Sequence, residues 1–412
     1  MSSACSRRHS PASVSGSCPR RRRNLRRAAL IILDGLGIGP APDTAAYGDA
    51  GSDTLGNVAR AVGGLHLPEL ERLGLGACAP LVGVKAVAAP AAAYGVAQPS
   101  GAGKDSTAGH WELCGLPLPH PFRTYPQGFP AEFVAAFISA TGRGVLGNRT
   151  ASGTAILDEL GERHVATGAW ILYTSADSVC QIAAHEDVVP VAELYRACEC
   201  ARELLAGPEA VLRVIARPFT GSVGKWTRTV RRRDFSLVPP GETLLDRLAA
   251  AHIPRVGIGK VDDLFARRHI TSVHPRTNAE AYAAIESALR TMHRGLLFAN
   301  VIEFDQSWGH RNDVPGFHQG LLELDRALPA MLAPVREQDL VIITADHGND
   351  PTTPSTDHSR EQVPVLAYGP RVAARSLGTR STFADVGQTL ADFFGVPPLA
   401  AGSSFLPEIW NG

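Results

Sequence analysis

The sequence predicts an α/β protein: a mostly parallel sheet flanked by helices, with a smaller α+β domain inserted into it. Three observations carry this prediction. From Ala28 onward short apolar runs alternate with amphipathic stretches, the pattern of strands followed by covering helices. Three of those runs end in an aspartate, and the carboxyl ends of parallel strands are where such sheets gather ligands. Between 119 and 241 the texture becomes rich in Pro, Gly and Arg, which reads as an insertion. The expected division is a core of 28–118 with 242–412, a cap of 119–241, and a basic tail over 1–27.

At 412 residues, 44% of them hydrophobic, the chain is long enough for two domains and apolar enough for a sizeable core. In chain order the strand candidates are AALIIL (28–33), WILYT (170–174), LRVIA (212–216), RVGIG (255–259), LLFANVIEF (296–304), LVIIT (340–344) and VPVLAYG (363–369). Apolar residues recur at helical spacing in VAELYRACECARELL, NAEAYAAIESALRTMH, GFHQGLLELDRALPAMLAPV and TFADVGQTLADFFG.

Lys+Arg and Asp+Glu number 40 each, but residues 1–27 hold eight arginines and no acid. Set aside, they leave 32 basic against 40 acidic side chains, a body that does not favour nucleic acid. The basic run before AALIIL resembles a secretory signal only superficially: its apolar part is short and no small-residue cleavage site precedes Asp34. It reads as a disordered tail or a misassigned start, with a basic docking tail as the alternative. No run approaches the roughly 18 apolar residues of a membrane span. The seven cysteines form no CxxC pair, and Cys198 with Cys200 reads as two reduced thiols on a helix, which points to the cytoplasm.

Asp34 follows LIIL, Asp305 follows VIEF and Asp346 follows VIITA. Three carboxylates converging on one edge would repel one another unless a cation joined them. Imidazoles fall close by: His310 after Asp305, His347 directly after Asp346, and His358 at the end of GNDPTTPSTDH. Six such ligands could hold two divalent ions about 3.5–4 Å apart, the spacing of two-metal phosphoryl chemistry. Carboxylate and imidazole without thiolate suit Mn2+ or Zn2+ better than Mg2+.

SGAGKDSTAGHWE (100–112) supplies a reactant, placing Ser106 and Thr107 in a Gly-rich loop behind Lys104 and Asp105. A hydroxyl beside a divalent ion loses its proton more readily and becomes a phosphoryl acceptor. The alternative is a serine that merely caps a helix. The loop is not a Walker sequence, since Asp105 follows Lys104 and position 98 is Gln. DGLGIGPAPD is not a dinucleotide fingerprint, because Pro40 and Pro42 break any helix there.

The blocks LDGLGIGPAPDTAAYGDAGSDTLGN, GKDSTAGHWELCG, ASGTAILDELGERHVATGAWILYTSADSVCQIAAHE, RVIARPF, FDQSWGHRND, ITADHGNDPTTPSTDHSRE and GSSFL follow one another in that order. Together they resemble the phosphopentomutase family of the alkaline phosphatase superfamily. The resemblance implies an alkaline-phosphatase-like core with an inserted cap. It implies an isomerase of nucleoside catabolism that moves phosphate between the C1 and C5 oxygens of ribose or 2-deoxyribose. It also implies two metal ions, usually manganese, one on Asp34, Asp346 and His347, the other on Asp305, His310 and His358.

The family's nucleophile, a threonine that becomes phosphorylated, falls on Ser106 here, with Thr107 as the alternative. A sugar bisphosphate would prime it. From the cap, Ser175, Asp177 and Val179 are expected near the sugar and Arg217 and Arg232 on its phosphate, an anion that suits the guanidinium fork. Lys260 is the expected contribution from the core. His185 and Glu186 invite a metal reading, but the family gives them none. The implied partners are pentose phosphates, with neither nucleic acid nor membrane, and a monomer is the expected assembly.

Overall fold

The computed structural model describes residues 26–175 and 178–411. The basic run before Arg26 and Asp177 lie outside the described residues. In chain order the first strands are β1 (Arg27–Leu33), β2 (Ala93–Ala97), β3 (Val145–Thr150), β4 (Trp170–Thr174), β5 (Val179–His185), β6 (Arg213–Ser222) and β7 (Lys225–Arg228). There follow β8 (Arg233–Ser236), β9 (Arg255–Ile258), β10 (Ser272–Val273), β11 (Gly295–Val301), β12 (Asp339–Thr344), β13 (Val363–Tyr368) and β14 (Ser376–Arg380).

They form two sheets. The larger runs β10-β9-β11-β1-β12-β13-β2-β14, parallel from β10 through β12 and antiparallel where β13 joins β12 and β2. At its centre β11, β1 and β12 are buried along their whole length, as near-continuous apolar strands covered on both faces must be. Helices follow the apolar spacing read from the sequence. Along Val314–Leu332 the buried residues Phe317, Leu321, Leu324, Leu328 and Met331 recur at three- and four-residue steps, one stripe facing the core.

Two boundaries differ from the sequence expectation. β1 begins at Arg27, inside the expected tail. Its guanidinium is buried, bonded to Asp339 directly opposite in register and to the carbonyls of Met292 (3.0 Å) and Pro334 (2.9 Å). A buried cation is tolerated only with such full pairing. The second difference is at β11, which stops at Val301 although the apolar run continues to Phe304. Phe304–Trp308 instead makes a π-helical turn that carries Asp305, a device frequent at functional sites.

The smaller sheet, β3-β4-β5-β6-β7 with β8 added to β6, has apolar clusters of its own. Phe137 of the helix Ala131–Thr141 packs with Trp170, Leu172 and Ile182 of the sheet and with residues of the helix Val191–Leu204. Ile156, Leu160, Tyr173 and Phe219 fill the other face. Cys198 is buried in the first of these clusters, and it and Cys200 are free thiols. The His185 ring packs against Phe219 and Trp226, while Glu186 accepts from the Thr229 hydroxyl at 2.6 Å. Among the described residues no helix is long and apolar enough to cross a membrane.

Candidate active site

Because β1 runs parallel to β11 on one side and β12 on the other, with Leu33 beside Val301 and Ile32 beside Thr344, all three strands release their chains on one edge. Asp34 is the first residue after β1, Asp346 lies two beyond β12, and Asp305 sits on the π turn after β11. All three are buried. The helix Ser106–Leu113 closes against them. Asp105 caps it, accepting from the amides of Thr107 (2.9 Å) and Ala108 (3.1 Å), which fixes Ser106 as its first residue. Only glycine fits at 109, where a Cβ would lie 2.1 Å from the Asp346 carbonyl oxygen.

Ser106 Oγ is 3.0 Å from Lys260 Nζ, 3.1 Å from His347 Nε2 and 3.4 Å from Asp34 Oδ1. Lys260 Nζ also lies 2.8 Å from Asp34 Oδ2 and 3.8 Å from Asp305 Oδ2. His347 Nε2 is 3.3 Å from Asp34 and 3.4 Å from Asp346. On the far side His358 Nε2 approaches Asp305 Oδ1 at 3.3 Å and His310 Nε2 approaches Asp305 Oδ2 at 3.4 Å. The sequence-predicted Asp34, Ser106, Lys260, Asp305, His310, Asp346, His347 and His358 therefore share one site. Thr107 is buried beside it, and its amide is held by Asp105.

The donor set fits divalent cations. Ligand atoms of Asp34, Asp346 and His347 lie within 4.8 Å of one another, and so do those of Asp305, His347 and His358. His347 thus stands between the two groups, and His310 joins the second through Asp305. Asp346 Oδ2 is buried without a directed hydrogen bond, an arrangement that is costly unless a cation completes it. His310 turns Nδ1 to the Thr356 carbonyl (2.6 Å) and His347 turns Nδ1 to the Gly348 carbonyl (3.0 Å). Each imidazole so donates from Nδ1 and turns Nε2 toward the carboxylates, the orientation of a metal-binding histidine.

The charges interlock. Burial alone would raise the Asp34 carboxyl, yet the Lys260 ammonium beside it holds it well below the usual carboxylate range. Asp305 is likewise held low against its burial, chiefly by His358 and His310. Burial opposes charge on His347, but Asp346 first and Asp34 next push it up to about 10. Lys260, opposed by burial, is held well above its ordinary value by Asp34 and Asp305.

The expected cap residues lie elsewhere. Val179 opens β5 and is buried, and Ser175 follows β4. Arg217 on β6 donates Nε to Gln181 Oε1 (3.1 Å), and Arg232 makes a two-pronged bond to Asp234 (2.7 and 2.7 Å). Burial raises the Tyr173 hydroxyl, and Arg217, Arg228 and Arg232 pull it back, so the three cations share its surroundings. Sequence reasoning missed Asn300, which donates to Asp34 Oδ2 at 2.9 Å, and Asn349, which donates to Asp305 Oδ1 at 2.7 Å. It also missed Glu361, buried behind the site between Thr54 and Ser359. The one usable signal was their closeness in sequence to the ligands.

The family model of the metalloenzyme superfamily matches residues 26–398. The phosphopentomutase of Dictyoglomus turgidum is 53% identical over 390 residues, covering 94% of this chain and 99% of its own. That of Anaeromyxobacter sp. (strain K) is 53% identical over 386 residues, covering 93% and 99%. Among solved structures, phosphoglycerate mutase from Leishmania mexicana aligns over 92% of this chain and 96% of its own, with a TM-score of 0.46 and 13% identity. Sheet edge, ligand set and family match make the chain a member of the metalloenzyme superfamily, an enzyme that uses divalent metal. Within that class its likeness to these relatives extends along nearly the whole chain, and it belongs to the phosphopentomutase family: it is an isomerase, an intramolecular phosphotransferase.

Proposed function

We propose that the enzyme interconverts ribose 1-phosphate, or 2-deoxyribose 1-phosphate, with the corresponding 5-phosphate through a phosphorylated Ser106. The observation that carries the reading is the position of Ser106 Oγ, which touches Asp34, His347 and Lys260 at once. The names of the relatives support the substrate class. Asp34, Asp346 and His347 hold one divalent ion and Asp305, His310 and His358 the other, with Mn2+ the best match to this ligand set. When bound, the ions supply charge neutralisation for phosphoryl oxygens and for an oxygen nucleophile.

The chain's own groups do the rest. A sugar hydroxyl oxygen forms a bond to phosphorus as the bond from phosphorus to Ser106 Oγ breaks; the proton lost by the sugar matches the one serine takes up. Lys260, 3.0 Å from Oγ, offsets the negative charge that develops on that oxygen. The resulting sugar bisphosphate, also the primer of the cycle, reorients and returns its other phosphate to Oγ. Residues 119–241 act as a cap in which Ser175 and Val179 face the sugar and Arg217 and Arg232 its distal phosphate. The cap excludes water that would hydrolyse the phosphoenzyme. The enzyme works as a monomer in the cytoplasm.

A coupled assay on ribose 1-phosphate with Mn2+, before and after chelation, tests the reaction. Mass spectrometry of the phosphoenzyme tests the nucleophile: phosphate found on Thr107 removes Ser106 from that role.

A further inference from the structure

His110 lies one helical turn beyond Ser106 and has no part in the steps above. Its side chain is fully buried and stacked on Phe298 of β11, with ring centroids 5.7 Å apart. Nδ1 is 2.8 Å from the Ser106 carbonyl oxygen, in hydrogen-bond geometry, and 3.0 Å from Asp346 Oδ2. Both neighbours are acceptors, so Nδ1 carries the proton. Nε2 has no partner and is the bare nitrogen, the less costly one to leave unpaired in apolar surroundings. One N–H therefore faces the backbone of Ser106 and the single buried oxygen of Asp346 that no directed hydrogen bond satisfies.

The other two aspartates of the cluster have neutral donors of the same kind: Asn300 on Asp34 and Asn349 on Asp305. Each donor fixes a carboxylate without adding charge to the site. Asp346 differs: the N–H nearest its Oδ2, 3.0 Å away but not directed at it, belongs to the helix that carries Ser106.

We propose that His110 is a positioning residue: with Nδ1–H held on the Ser106 carbonyl and 3.0 Å from Asp346 Oδ2, it sets the orientation in which Asp346 meets a divalent ion. This rests on the reading of Asp346, Asp34 and His347 as a metal site. Outer partners of this kind are worth about 10–100-fold in metal affinity or activity.

His110→Phe keeps the stacking on Phe298 and removes the donor, whereas His110→Asn places an amide N–H close to the position of Nδ1. The proposal expects His110→Phe to bind Mn2+ about tenfold more weakly in calorimetric titration and to lose about 10–100-fold in kcat. KM for ribose 1-phosphate should stay within about twofold, since the sugar is held elsewhere, and His110→Asn should recover most of both losses. A folded His110→Phe with wild-type Mn2+ affinity overturns the proposal, as does a His110→Asn that falls as far as His110→Phe. Should His110→Phe not fold, His110→Gln replaces it: its amide reaches the place of Nε2, so it must bind Mn2+ about tenfold more weakly than His110→Asn, and equal affinities overturn the idea. If the wild type binds Mn2+ but does not turn over pentose phosphates, the reaction proposed above falls while the affinity comparison still decides the role of His110.

Discussion

At the edge of the larger sheet each buried carboxylate rests on a cation or an imidazole, whereas in the smaller sheet three arginines crowd one phenol. Asp34, Asp305 and Asp346 are interleaved with Lys260, His310, His347 and His358 at 2.8 to 3.8 Å. Arg217, Arg228 and Arg232 instead surround Tyr173, and Asp234 occupies only the last of them in a two-pronged bond. Like charges held together lower one another's stability unless an anion joins them. The first region is thus arranged around bound cations, and the second is left with cationic capacity for an incoming phosphate. The difference fits the proposed division, with the chemistry at one sheet and the grip on substrate at the other.

The largest test breaks the first region outright. Chelation of the purified enzyme should take turnover of ribose 1-phosphate to background, and added Mn2+ should restore it. The thermal midpoint should move in step, because an ion at about a hundred times its Kd adds about 2.7 kcal/mol of stability. Turnover that survives exhaustive chelation would break the comparison at its root. Ser106→Ala comes next, with a loss in kcat of at least about a thousandfold and no phosphoenzyme on intact-mass analysis. Thr107→Ala, whose hydroxyl is not the one that meets Lys260 and His347, should stay within about threefold of wild type.

Arg217→Ala probes the second region. Removing one charged hydrogen-bond donor to phosphate costs about 1.5–3 kcal/mol, hence a rise of about 10–150-fold in KM for the sugar phosphate. If the cap also shields the phosphoenzyme, the same variant should release more inorganic phosphate per transfer. Both quantities come from one assay that follows sugar phosphate and free phosphate together. A fall in kcat with KM unchanged would move Arg217 from substrate grip to chemistry and erase the division between the sheets.

The sequence showed this division unevenly. Asp34 and Asp346 were legible because an apolar run that ends in a carboxylate is a strong local pattern. Their adjacency was not, since β1 pairs with strands that lie more than 260 residues later in the chain. Short strands such as AYGVA, KWTR and SLGTR carry no apolar run long enough to announce them, and two of them sit largely at the surface. Asn300 was hidden in the middle of LLFANVIEF, where one polar residue does not change the apolar reading of a strand. His110 is four residues after Ser106, so helical spacing places it on the same face, but nothing local reveals that Asp346 lies beside it. Arg232, expected on phosphate, also makes a two-pronged bond to Asp234 two residues on, a pairing that the run RRR does not announce.

Glu361 gives the smallest and most selective test, since it is a buried acid near the site that no cation compensates. Its carboxylate accepts from the Thr54 amide (2.8 Å), the Thr54 hydroxyl (2.7 Å) and the Ser359 hydroxyl (2.7 Å), all neutral donors. Burial raises its pKa to about 7, and the bonds from Ser359 and Thr54 only partly offset that rise. A carboxyl whose folded pKa lies above its unfolded value near 4.5 favours the folded state while protonated. Its share of stability is therefore fullest below about pH 4.5, declines as pH rises toward 7, and is gone above it, a change of order 3 kcal/mol. Glu361→Gln removes the titration and keeps the shape, so the wild type should lose stability relative to this variant between pH 5 and 8 when both are unfolded in urea. Parallel pH profiles for the two proteins would mean that Glu361 is compensated like the site's other acids, and the contrast drawn for the sheet edge would then extend to the loop behind it.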